Sequence, residues 1–231
     1  MSYHEDRDWY IQVKSVCADF EGIKACSPLN HLAVQIDVGV SGFYELMSCL
    51  KLHKQLDMAM LIDVCVVDYL HYKRQEWQTT QATATGYSRG VVPLSDQTFN
   101  VDMPDRFQVI YQLLSLSQNK RLTVAVMLEV DMTIASIAPL WPSANWFERE
   151  AFDLFGVRFK GHPDLTRILT DYGFKGHPFR KDFPLEGELE IRYDAKKAQC
   201  VYEPVSIEPR ITVPKVIRNQ DFRYHQKQES S

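Results

Sequence analysis

The sequence predicts a fold of the α/β (α+β) class, and three observations lead to this prediction. Apolar residues recur at helical spacing in some segments and alternate with polar residues in others. The two patterns follow one another along the first part of the chain. The apolar fraction, 45%, is typical of a globular protein and is sufficient for one sizeable core.

Four elements are predicted before Tyr69. Helical spacing of apolar residues predicts a first helix that ends at about Gly22, and alternation over 32–38 predicts a strand. The i, i+3, i+4, i+7 pattern over 43–50 predicts an amphipathic helix, and the apolar run 58–68 predicts a buried strand. The predicted order is therefore helix, strand, helix, strand.

The region 71–104 is expected to be a long polar loop or insertion. It is rich in Thr and has no sustained apolar period, so it is predicted to contain no more than one short hairpin. A loop of this length in a compact domain is usually functional or mobile. Two strands are predicted after it, over 107–117 and 122–130, and the polar residues 118–120 predict a tight hairpin between them.

A further helix is predicted up to Phe155. Ser143 or Asn145 is expected to cap its N-terminus, and Gly156 is expected to end it.

The C-terminal part is predicted to be extended, because Pro204, Pro209 and Pro214 exclude a helix around them. We therefore divide the chain into an α/β domain, 1–192, which includes the insertion 71–104, and an extended C-terminal tail, 193–231. The tail is partly apolar, so it is expected to lie along its own domain or along a partner protein.

Charge and cysteine spacing argue against several functional classes. The net charge of −4 is not that of a dedicated nucleic-acid-binding protein. The five cysteines include no CxxC pair, so neither an iron–sulfur ligand run nor a structural zinc site is indicated, and reduced thiols are expected. No stretch approaches the roughly 18 apolar residues of a membrane span. The N-terminus is too acidic and polar for a targeting peptide.

The most informative segment runs from Ser143 to Asp194. Between Ser143 and Tyr193 there are eight Lys or Arg residues and nine Asp or Glu residues, and such a balance indicates paired charges. The candidate site residues in this segment are Glu148, Arg149, Glu150, Asp153, His162, Asp164, Arg167, Asp171, His177, Arg180, Lys181 and Asp182.

Three functional interpretations of these residues compete with a purely structural one. Glu148, Glu150 and Asp153 have the chemistry of acid–base catalysts, although a structural ion-pair network is the simpler interpretation. His162 and His177 could bind a metal ion with nearby carboxylates, but their spacing fits no standard ligand motif. The third interpretation is a protein-docking surface, because charge-paired loops with many aromatic residues suit an interface of fixed register.

The carboxylates of the third helix need cations. Glu150 and Asp153 are three residues apart on a helix, where like charges repel. The available cations are Arg158, Arg167, Arg180 and Lys181. The Gly-His-Pro triplets at 161–163 and 176–178 constrain the backbone, because Pro holds the preceding His in extended geometry. The segment is therefore expected to follow one fixed loop path.

The segment from Ser143 to Asp194 resembles a known protein family. Four stretches of this segment resemble the signature of the 30-kilodalton, or C-type, subunit of respiratory complex I. They are Glu-Arg-Glu-Ala-Phe-Asp-Leu-Phe-Gly at 148–156, Gly-His-Pro-Asp-Leu at 161–165, Arg-Ile-Leu-Thr-Asp-Tyr-Gly-Phe at 167–174 and Arg-Lys-Asp-Phe-Pro-Leu at 180–185. Weaker resemblance extends to Asp68-Tyr69, Trp141-Pro142 and Arg192-Tyr193-Asp194. Three features depart from the pattern: Thr166 stands where the family usually has a basic residue, Phe179 stands where Leu is common, and the insertion 71–104 is additional.

The resemblance implies a fold and a function. The implied fold is a two-layer sandwich with a mixed sheet and an extended tail. The implied function is that of a structural subunit in the hydrophilic arm of proton-translocating NADH:quinone oxidoreductase, docked against the 49-kilodalton, or D-type, subunit and near iron–sulfur subunits. The chain itself would hold no catalytic residue, cofactor or metal, because other subunits bind FMN, the iron–sulfur clusters and quinone.

The resemblance also implies a location and leaves rivals open. The expected place is peripheral, on the cytoplasmic side of the bacterial inner membrane, or on the matrix side if the gene belongs to an organelle. The alternative function is the homologous subunit of a membrane-bound hydrogenase or of a quinone reductase that does not use NADH. Rivals of other classes are a free-standing metal-dependent hydrolase and a scaffold protein unrelated to respiration.

Overall fold

The computed structural model describes residues 5–18, 20–30, 32–70, 72, 77–79, 91–93, 105–129, 133–184, 187 and 189–206. Three helices and eleven strands lie in this part of the chain. In chain order they are α1 Glu5–Cys17, β1 Ile23–Asn30, β2 Ala33–Val38, α2 Phe43–Leu52, β3 Met60–Asp68, β4 Trp77–Thr79, β5 Val91–Pro93, β6 Phe107–Ser115, β7 Lys120–Leu128, β8 Thr133–Ala135, α3 Ala144–Phe155, β9 Arg158–Lys160, β10 Leu189–Asp194 and β11 Gln199–Pro204.

The main sheet is mixed, as expected. Its five strands lie in the order β1-β2-β7-β6-β3. The β2–β7 pair is parallel, whereas the β1–β2, β6–β7 and β3–β6 pairs are antiparallel. A separate small parallel pair joins β8, which precedes α3 in the chain, to β9, which follows it. The chain thus brings α3 back beside the segment that precedes it.

The core lies between the three helices and one face of this sheet. Along β6 the residues alternate between buried and half-buried, so one face of the strand points inward. Phe43 of α2 packs against Tyr111 of β6 with ring centroids 4.8 Å apart. Residues of α1, α2 and α3 belong to the same buried cluster as the inward face of the sheet. This two-layer arrangement confirms the predicted fold class.

Most predicted elements of the main domain are confirmed. The amphipathic helix is α2, the buried strand is β3, the later hairpin is β6–β7, and the helix of the charged segment is α3. The order helix, strand, helix, strand was wrong by one element, because it omitted β1. β1 is an edge strand with mostly exposed residues and a proline, Pro28, so it has no apolar alternation to reveal it.

The ends of α3 agree only partly with the predicted caps. Ser143 occupies the N-cap position, but its side chain makes no capping hydrogen bond, and Asn145 lies inside the helix. The prediction of a side-chain cap was therefore wrong. Gly156 ends the helix as predicted, with φ of 81° and its N–H bonded to the Phe152 carbonyl. A positive φ of this kind favours glycine over any residue with a Cβ atom.

The insertion 71–104 is described only in part. β4 and β5 pair in antiparallel register, with Trp77 opposite Pro93, which agrees with the predicted short hairpin. The remaining residues of the insertion, apart from Tyr72, lie outside the described residues.

The chain divides into two compact units, 1–183 and 184–231. In the second unit β10 and β11 form an antiparallel hairpin with Ile191 opposite Tyr202. The predicted boundary between 192 and 193 falls within β10, and the predicted tail beyond residue 206 lies outside the described residues. The division into domain and tail stays a prediction. No helix in the described part of the chain is long and apolar enough to cross a membrane.

Candidate functional site

The candidate site is the charged segment, residues 144–183, which consists of α3, β9 and the loop after them. We call residues 161–183 the signature loop. The inward face of α3 carries two carboxylates, Glu148 and Asp153, and each is fully buried. A buried carboxylate is unfavourable unless donors surround it. The structure of the signature loop follows from how these two groups are satisfied.

The Asp153 carboxylate is enclosed by the signature loop. Its Oδ2 accepts hydrogen bonds from the backbone N–H groups of Ile168, Leu169 and Thr170, at 3.1, 2.8 and 2.8 Å. Its Oδ1 accepts from the Thr170 hydroxyl and from Nη1 of Arg167, at 2.8 Å. Burial alone would raise the pKa of Asp153, but the Thr170, Leu169 and Arg167 donors outweigh it and hold that pKa well below its usual range. Asp153 is therefore an ionised anchor.

Arg167, which pairs with Asp153, also bonds to other residues of the signature loop. Its Nη1 also donates to the Thr170 hydroxyl at 3.1 Å, and its Nη2 donates to the Gly176 carbonyl at 3.0 Å. The guanidinium lies 5.8 Å from the centre of the Phe174 ring. The Arg167 side chain thus joins the Asp153 carboxylate to Thr170 and Gly176, on either side of residue 172. These contacts hold the loop in one path, as was expected from the Gly-His-Pro triplets.

Glu148 is satisfied differently, because no arginine or lysine among the described residues bonds to it. Its Oε2 accepts from the Ser136 hydroxyl at 2.6 Å, and its Oε1 accepts from the Ile137 N–H at 2.8 Å. Nε2 of the buried His162 ring lies 3.9 Å from Oε2. Burial raises the pKa of Glu148 to about 7, although the Ser136 and Ile137 donors partly oppose the shift. Glu148 also affects the buried Tyr111, whose pKa is raised first by burial and then by the negative charge of Glu148.

The two histidines lock the loop to α3 by their ring nitrogens. A carbonyl only accepts, so Nε2 of His162 donates to the Asn145 carbonyl at 3.1 Å, and its Nδ1 accepts from the Asp164 N–H at 3.1 Å. Nδ1 of His177 likewise donates to the Asp153 carbonyl at 2.9 Å. Both rings are engaged with the backbone of their own segment.

Two further arginines bind backbone carbonyls. Arg149 donates to the carbonyls of Thr166 and Arg167 at 3.1 and 3.2 Å. Arg180 donates from Nε to the Phe155 carbonyl at 2.6 Å and lies 5.2 Å from the centre of the Phe107 ring. A Cβ atom at Gly156 would lie 2.6 Å from Nη2 of Arg180 and 2.7 Å from the His177 ring, so a larger residue there would require these side chains to shift.

Asp182 is held by a residue outside the charged segment. Arg106, immediately before β6, donates to both oxygens of Asp182 at 3.0 and 2.8 Å, and to both oxygens of Asp68 at 3.0 and 2.7 Å. The Lys181 N–H also donates to Asp68 at 2.9 Å. Burial raises the pKa of Asp68, but the Arg106, Lys181 and Leu70 donors lower it to about 2.

Sequence reasoning missed Arg106, although a signal was present. Asp68 was noticed for its resemblance to the family, yet no cation was assigned to it. A carboxylate at the end of one strand and an arginine at the start of its antiparallel neighbour are close whenever those strands pair, as Asp68 and Phe107 do. Of the four cations that were predicted to meet the α3 carboxylates, Arg167 does so in the described part of the chain, through its ion pair with Asp153, whereas Arg180 binds the Phe155 carbonyl instead.

The outward side of the segment is exposed and rich in apolar side chains. Four large residues are more than half exposed: Trp146 at 64%, Leu169 at 63%, Tyr172 at 92% and Phe179 at 61%. The charged candidates Glu150, Asp164, Asp171, Lys181 and Asp182 are also exposed. The candidate residues therefore form a buried or half-buried set that holds the loop and an exposed set, of which Asp182 is also bound by Arg106.

Among the described residues, no group of three or more His, Cys, Asp or Glu side chains could hold a metal ion. Glu148 and Asp153 are both fully buried beneath the protein surface. The geometry provides a loop that several side-chain contacts hold to α3, with aromatic and apolar side chains exposed on its outside.

Comparison with known proteins identifies the family. Residues 36–189 match the model of the respiratory-chain NADH dehydrogenase 30 kDa subunit. The chain belongs to this family. The match extends from β2 into β10 and includes the whole charged segment, so the resemblance stated from the sequence is confirmed.

Curated members of the 30 kDa subunit family are similar over most of their length. The C-type subunit of NADH-quinone oxidoreductase from Legionella pneumophila (strain Corby) is 53% identical over 192 residues, which are 83% of this chain and 84% of the relative. The proteins of the same name from Hydrogenovibrio crunogenus and Coxiella burnetii (strain Dugway 5J108-111) are 50% identical over 189 residues and 49% identical over 192 residues. These alignments cover 80% and 83% of this chain and 85% and 84% of the relatives. The 30 kDa subunit is part of an enzyme complex, complex I of the respiratory chain.

A solved structure shares the fold. A chain of the membrane-bound sulfane sulfur reductase, an archaeal respiratory membrane complex, superposes with a TM-score of 0.53. The superposition covers 77% of this chain and 86% of the other chain, at 16% sequence identity. This likeness concerns the fold.

Proposed function

We propose that this chain is a non-catalytic structural subunit in the hydrophilic arm of proton-translocating NADH:quinone oxidoreductase. In this role it docks against the 49-kilodalton subunit, which forms the quinone site, through the outward side of the signature loop. The observation that carries the proposal is the combination of a loop fixed from within by Asp153 and a set of large side chains exposed on its outside.

The fixed loop supports docking because a preorganised surface loses little conformational entropy on binding. The Asp153 carboxylate, Arg167 and His177 connect the loop to α3 by side-chain contacts that do not depend on a partner. Tyr172, Phe179 and Trp146 remain outside these contacts. Aromatic side chains of this kind are enriched at the centres of protein interfaces.

The β10–β11 hairpin supplies a second surface suited to association. Leu189, Ile191 and Tyr193 alternate along β10, so they share one face, and Tyr202 lies directly opposite Ile191. Their exposed fractions are 64%, 51% and 62%, with 62% for Tyr202. A two-stranded hairpin with one exposed apolar face is marginal by itself. We infer that a neighbouring subunit covers this face in the assembled complex.

The cofactors belong to other subunits in this proposal. FMN, the iron–sulfur clusters and quinone would be bound by the partners, which include the 49-kilodalton subunit and neighbouring iron–sulfur subunits. Supporting this, the buried carboxylates and histidines of the charged segment are already bonded within the chain. The chain would lie peripherally on the cytoplasmic side of the bacterial inner membrane, or on the matrix side if the gene belongs to an organelle.

The test is purification of the tagged chain from its native membranes in mild detergent, followed by mass spectrometry and an assay of NADH:quinone activity. We expect recovery of the 49-kilodalton subunit with the flavin and iron–sulfur subunits, together with activity that a quinone-site inhibitor blocks. Recovery of hydrogenase subunits without an NADH-oxidising module would replace the proposal by its alternative. Recovery of the chain alone would overturn both.

A further inference from the structure

A buried polar cluster connects α3, the segment after β8 and the start of the signature loop. Its centre is the Glu148 carboxyl, whose Oε2 is 2.6 Å from the Ser136 hydroxyl and whose Oε1 accepts from the Ile137 N–H at 2.8 Å. Nε2 of His162 lies 3.9 Å from Oε2, and the side chains of Glu148 and His162 are both fully buried. Three separate parts of the chain thus meet at one ionisable group.

His162 fastens the first turn of the signature loop, residues 161–164, to α3. Its Nε2 donates to the Asn145 carbonyl and its Nδ1 accepts from the Asp164 N–H, both at 3.1 Å. A ring that donates through one nitrogen and accepts through the other carries a single proton and is neutral. A second proton would place an N–H on Nδ1 against the Asp164 N–H and break that bond. His162 therefore cannot become a counter-ion for Glu148 without releasing the turn.

The described elements packed against α3 bring no cation to Glu148. β3 contributes apolar side chains at its buried positions up to Asp68, and Asp68 is bonded to Arg106. On β9, Arg158 and Lys160 are exposed. The positions three and four residues away on α3 itself, which share the helix face of Glu148, are uncharged. Among the described residues, no Arg or Lys bonds to the Glu148 carboxyl.

The ionisable groups that face Glu148 are His162 from the loop and Tyr111 from β6. Burial and then the charge of Glu148 raise the pKa of Tyr111, so its hydroxyl stays neutral. A carboxylate without a cation is unfavourable in a buried site, and burial raises the pKa of Glu148 to about 7 despite its two hydrogen-bond donors. The cluster therefore favours the protonated acid, whose O–H donates to the Ser136 oxygen.

We propose that Glu148 is a proton-controlled latch on the first turn of the signature loop. While Glu148 holds its proton, residues 161–164 and 136–138 stay closed on α3. When it ionises, these two segments open locally and water reaches the carboxylate. The latch is a property of the chain itself. Its effect on docking rests on the proposed function, because the turn is bonded to Asn145, the neighbour of the exposed Trp146.

The far end of the loop lacks this sensitivity. Asp153 is surrounded by the N–H groups of residues 168–170 and by Arg167. Although burial alone would raise the pKa of Asp153, these donors hold it well below its usual range. Asp153 therefore stays ionised at every pH at which Glu148 changes its charge. The two buried carboxylates of α3 thus hold opposite ends of the loop, and they differ in their response to pH near neutrality.

The direction of the pH effect follows from proton linkage. In the open form Glu148 is hydrated and its pKa returns towards the usual value near 4.5, whereas the closed form holds the proton up to about pH 7. Between these values the closed form binds the proton and the open form releases it, so a rise in pH favours opening. For one proton the opening equilibrium shifts by up to about tenfold per pH unit, and it levels off above about pH 7.

Amide hydrogen exchange of the full chain, followed by NMR between about pH 5 and about pH 8, tests the latch. Each rate is divided by the intrinsic rate of an unstructured peptide at the same pH. Low concentrations of urea separate local opening from global unfolding, because local opening exposes little surface.

We expect the protection of the Ile137 and Asp164 amides to fall at least about tenfold between about pH 5 and about pH 7.5. This loss should occur through an opening that urea does not promote. The Leu169 and Thr170 amides, which donate to Asp153, should not take part in that opening.

Two glutamate variants of α3 provide the matched comparison. Glu148→Gln carries no titratable group at this position, so the protection of Ile137 and Asp164 should stay constant to within about twofold over the same pH range. Glu150→Gln, at an exposed position of the same helix, should retain the wild-type pH dependence. The wild-type measurement decides the matter even if Glu148→Gln folds poorly.

Protection of Ile137 and Asp164 that does not change with pH in the wild-type chain would overturn the latch. So would a pH-dependent local opening that includes Leu169 and Thr170, because Asp153 would then fail to hold the far end. A loss of protection that persists in Glu148→Gln would assign the titration to another group and would also overturn it. The exchange is measured without a partner, so failure of the latch and failure of the docking proposal are distinguishable.

Discussion

Asp153 and Arg167 form a 2.8 Å ion pair in which the carboxylate is completely buried and the guanidinium is 18% exposed. The pair closes the signature loop onto α3, because the same carboxylate also accepts three backbone N–H groups of residues 168–170. The loop is thus held by a charge that the helix contributes.

Replacing Asp153 by Asn should destabilise the chain. The variant loses the charge that Arg167 faces and can accept fewer of the surrounding hydrogen bonds, so we expect a loss of about 3 kcal/mol in the free energy of unfolding. Urea denaturation of the isolated chain measures it. Glu150→Gln, on the exposed side of the same helix, is the control and should change stability by less than about 0.5 kcal/mol. Equal effects of the two substitutions would contradict the anchor.

The bridge between Asp68 and Asp182 should require arginine. Arg106→Lys keeps the charge but cannot donate to both carboxylates in the paired geometry that Arg106 adopts. We expect a loss of about 2 kcal/mol in unfolding free energy, since the Asp68 side chain is almost fully buried. Arg158→Lys at an exposed position is the control. A fully stable Arg106→Lys chain would show that the paired geometry is unimportant.

Gly156 and Gly161 offer a matched test of close packing. Both have positive φ, 81° and 85°, so an alanine is strained at either position. A Cβ atom at Gly156 would lie 2.6 Å from Arg180 and 2.7 Å from His177, whereas nothing lies within 4 Å at Gly161. We expect a cost of about 1 kcal/mol for Gly161→Ala. Gly156→Ala should cost at least about 1 kcal/mol more, because the loop must shift.

That difference, measured by thermal or urea unfolding, isolates the contact between the end of α3 and the signature loop. Equal costs at the two positions would mean that Arg180 and His177 move aside freely, which contradicts a rigid loop.

Glu148 should make stability depend on pH near neutrality. Its pKa is raised in the folded chain to about 7 from a usual value near 4.5, so the folded state holds a proton that the unfolded state releases. The associated stability is present below pH 4.5 and is lost as the pH rises to about 7. The contribution of Glu148 to the free energy of unfolding of the wild-type chain should therefore decrease as the pH rises from 4.5 to about 7.

Glu148→Gln removes this term. The amide oxygen can accept from Ile137 N–H and the amide N–H₂ can donate to the Ser136 oxygen, so the uncharged side chain imitates the protonated acid. Unfolding measured at several pH values should show a flatter profile between pH 4.5 and 7 for the variant than for wild type. Parallel profiles would show that Glu148 keeps an ordinary pKa despite its burial. Asp68 acts in the opposite sense, because its lowered pKa makes stability decline as the pH falls towards 2.

The fold could be predicted from the sequence where burial is one-sided. α2 and β6 have apolar residues at the spacing of their element, and both were located correctly. β1 was missed because an exposed edge strand needs no apolar alternation. The end of α1 was placed too far along the chain, because Phe20 continues the helical spacing after the helix has stopped at Cys17.

The sequence indicated which residues belong to the candidate site, but not which groups bond to its carboxylates. Glu150 and Asp153 were treated as neighbouring like charges, yet one is exposed and the other faces inward. Glu148 was assigned to an ion-pair network, but a hydroxyl and a backbone N–H satisfy it. Backbone donors carry no side-chain signal in the sequence, so a carboxylate that relies on them cannot be recognised from residue types alone.

The most direct test of the central claim, that the outward side of the signature loop docks the chain in its complex, uses exposed residues that do not hold the loop. Leu169→Ser and Tyr172→Ser are combined in one tagged chain, and Leu52→Ser and Leu116→Ser in a control chain. The control residues are 77% and 65% exposed and lie outside the loop. Each chain is first shown to have the melting temperature of wild type in isolation and is then purified from native membranes.

We predict that the loop variant recovers at least about tenfold less of the 49-kilodalton subunit than wild type, while the control recovers a wild-type amount. NADH oxidation by the separate flavin module should be unchanged in both strains. Wild-type recovery of the 49-kilodalton subunit by the loop variant would contradict the account.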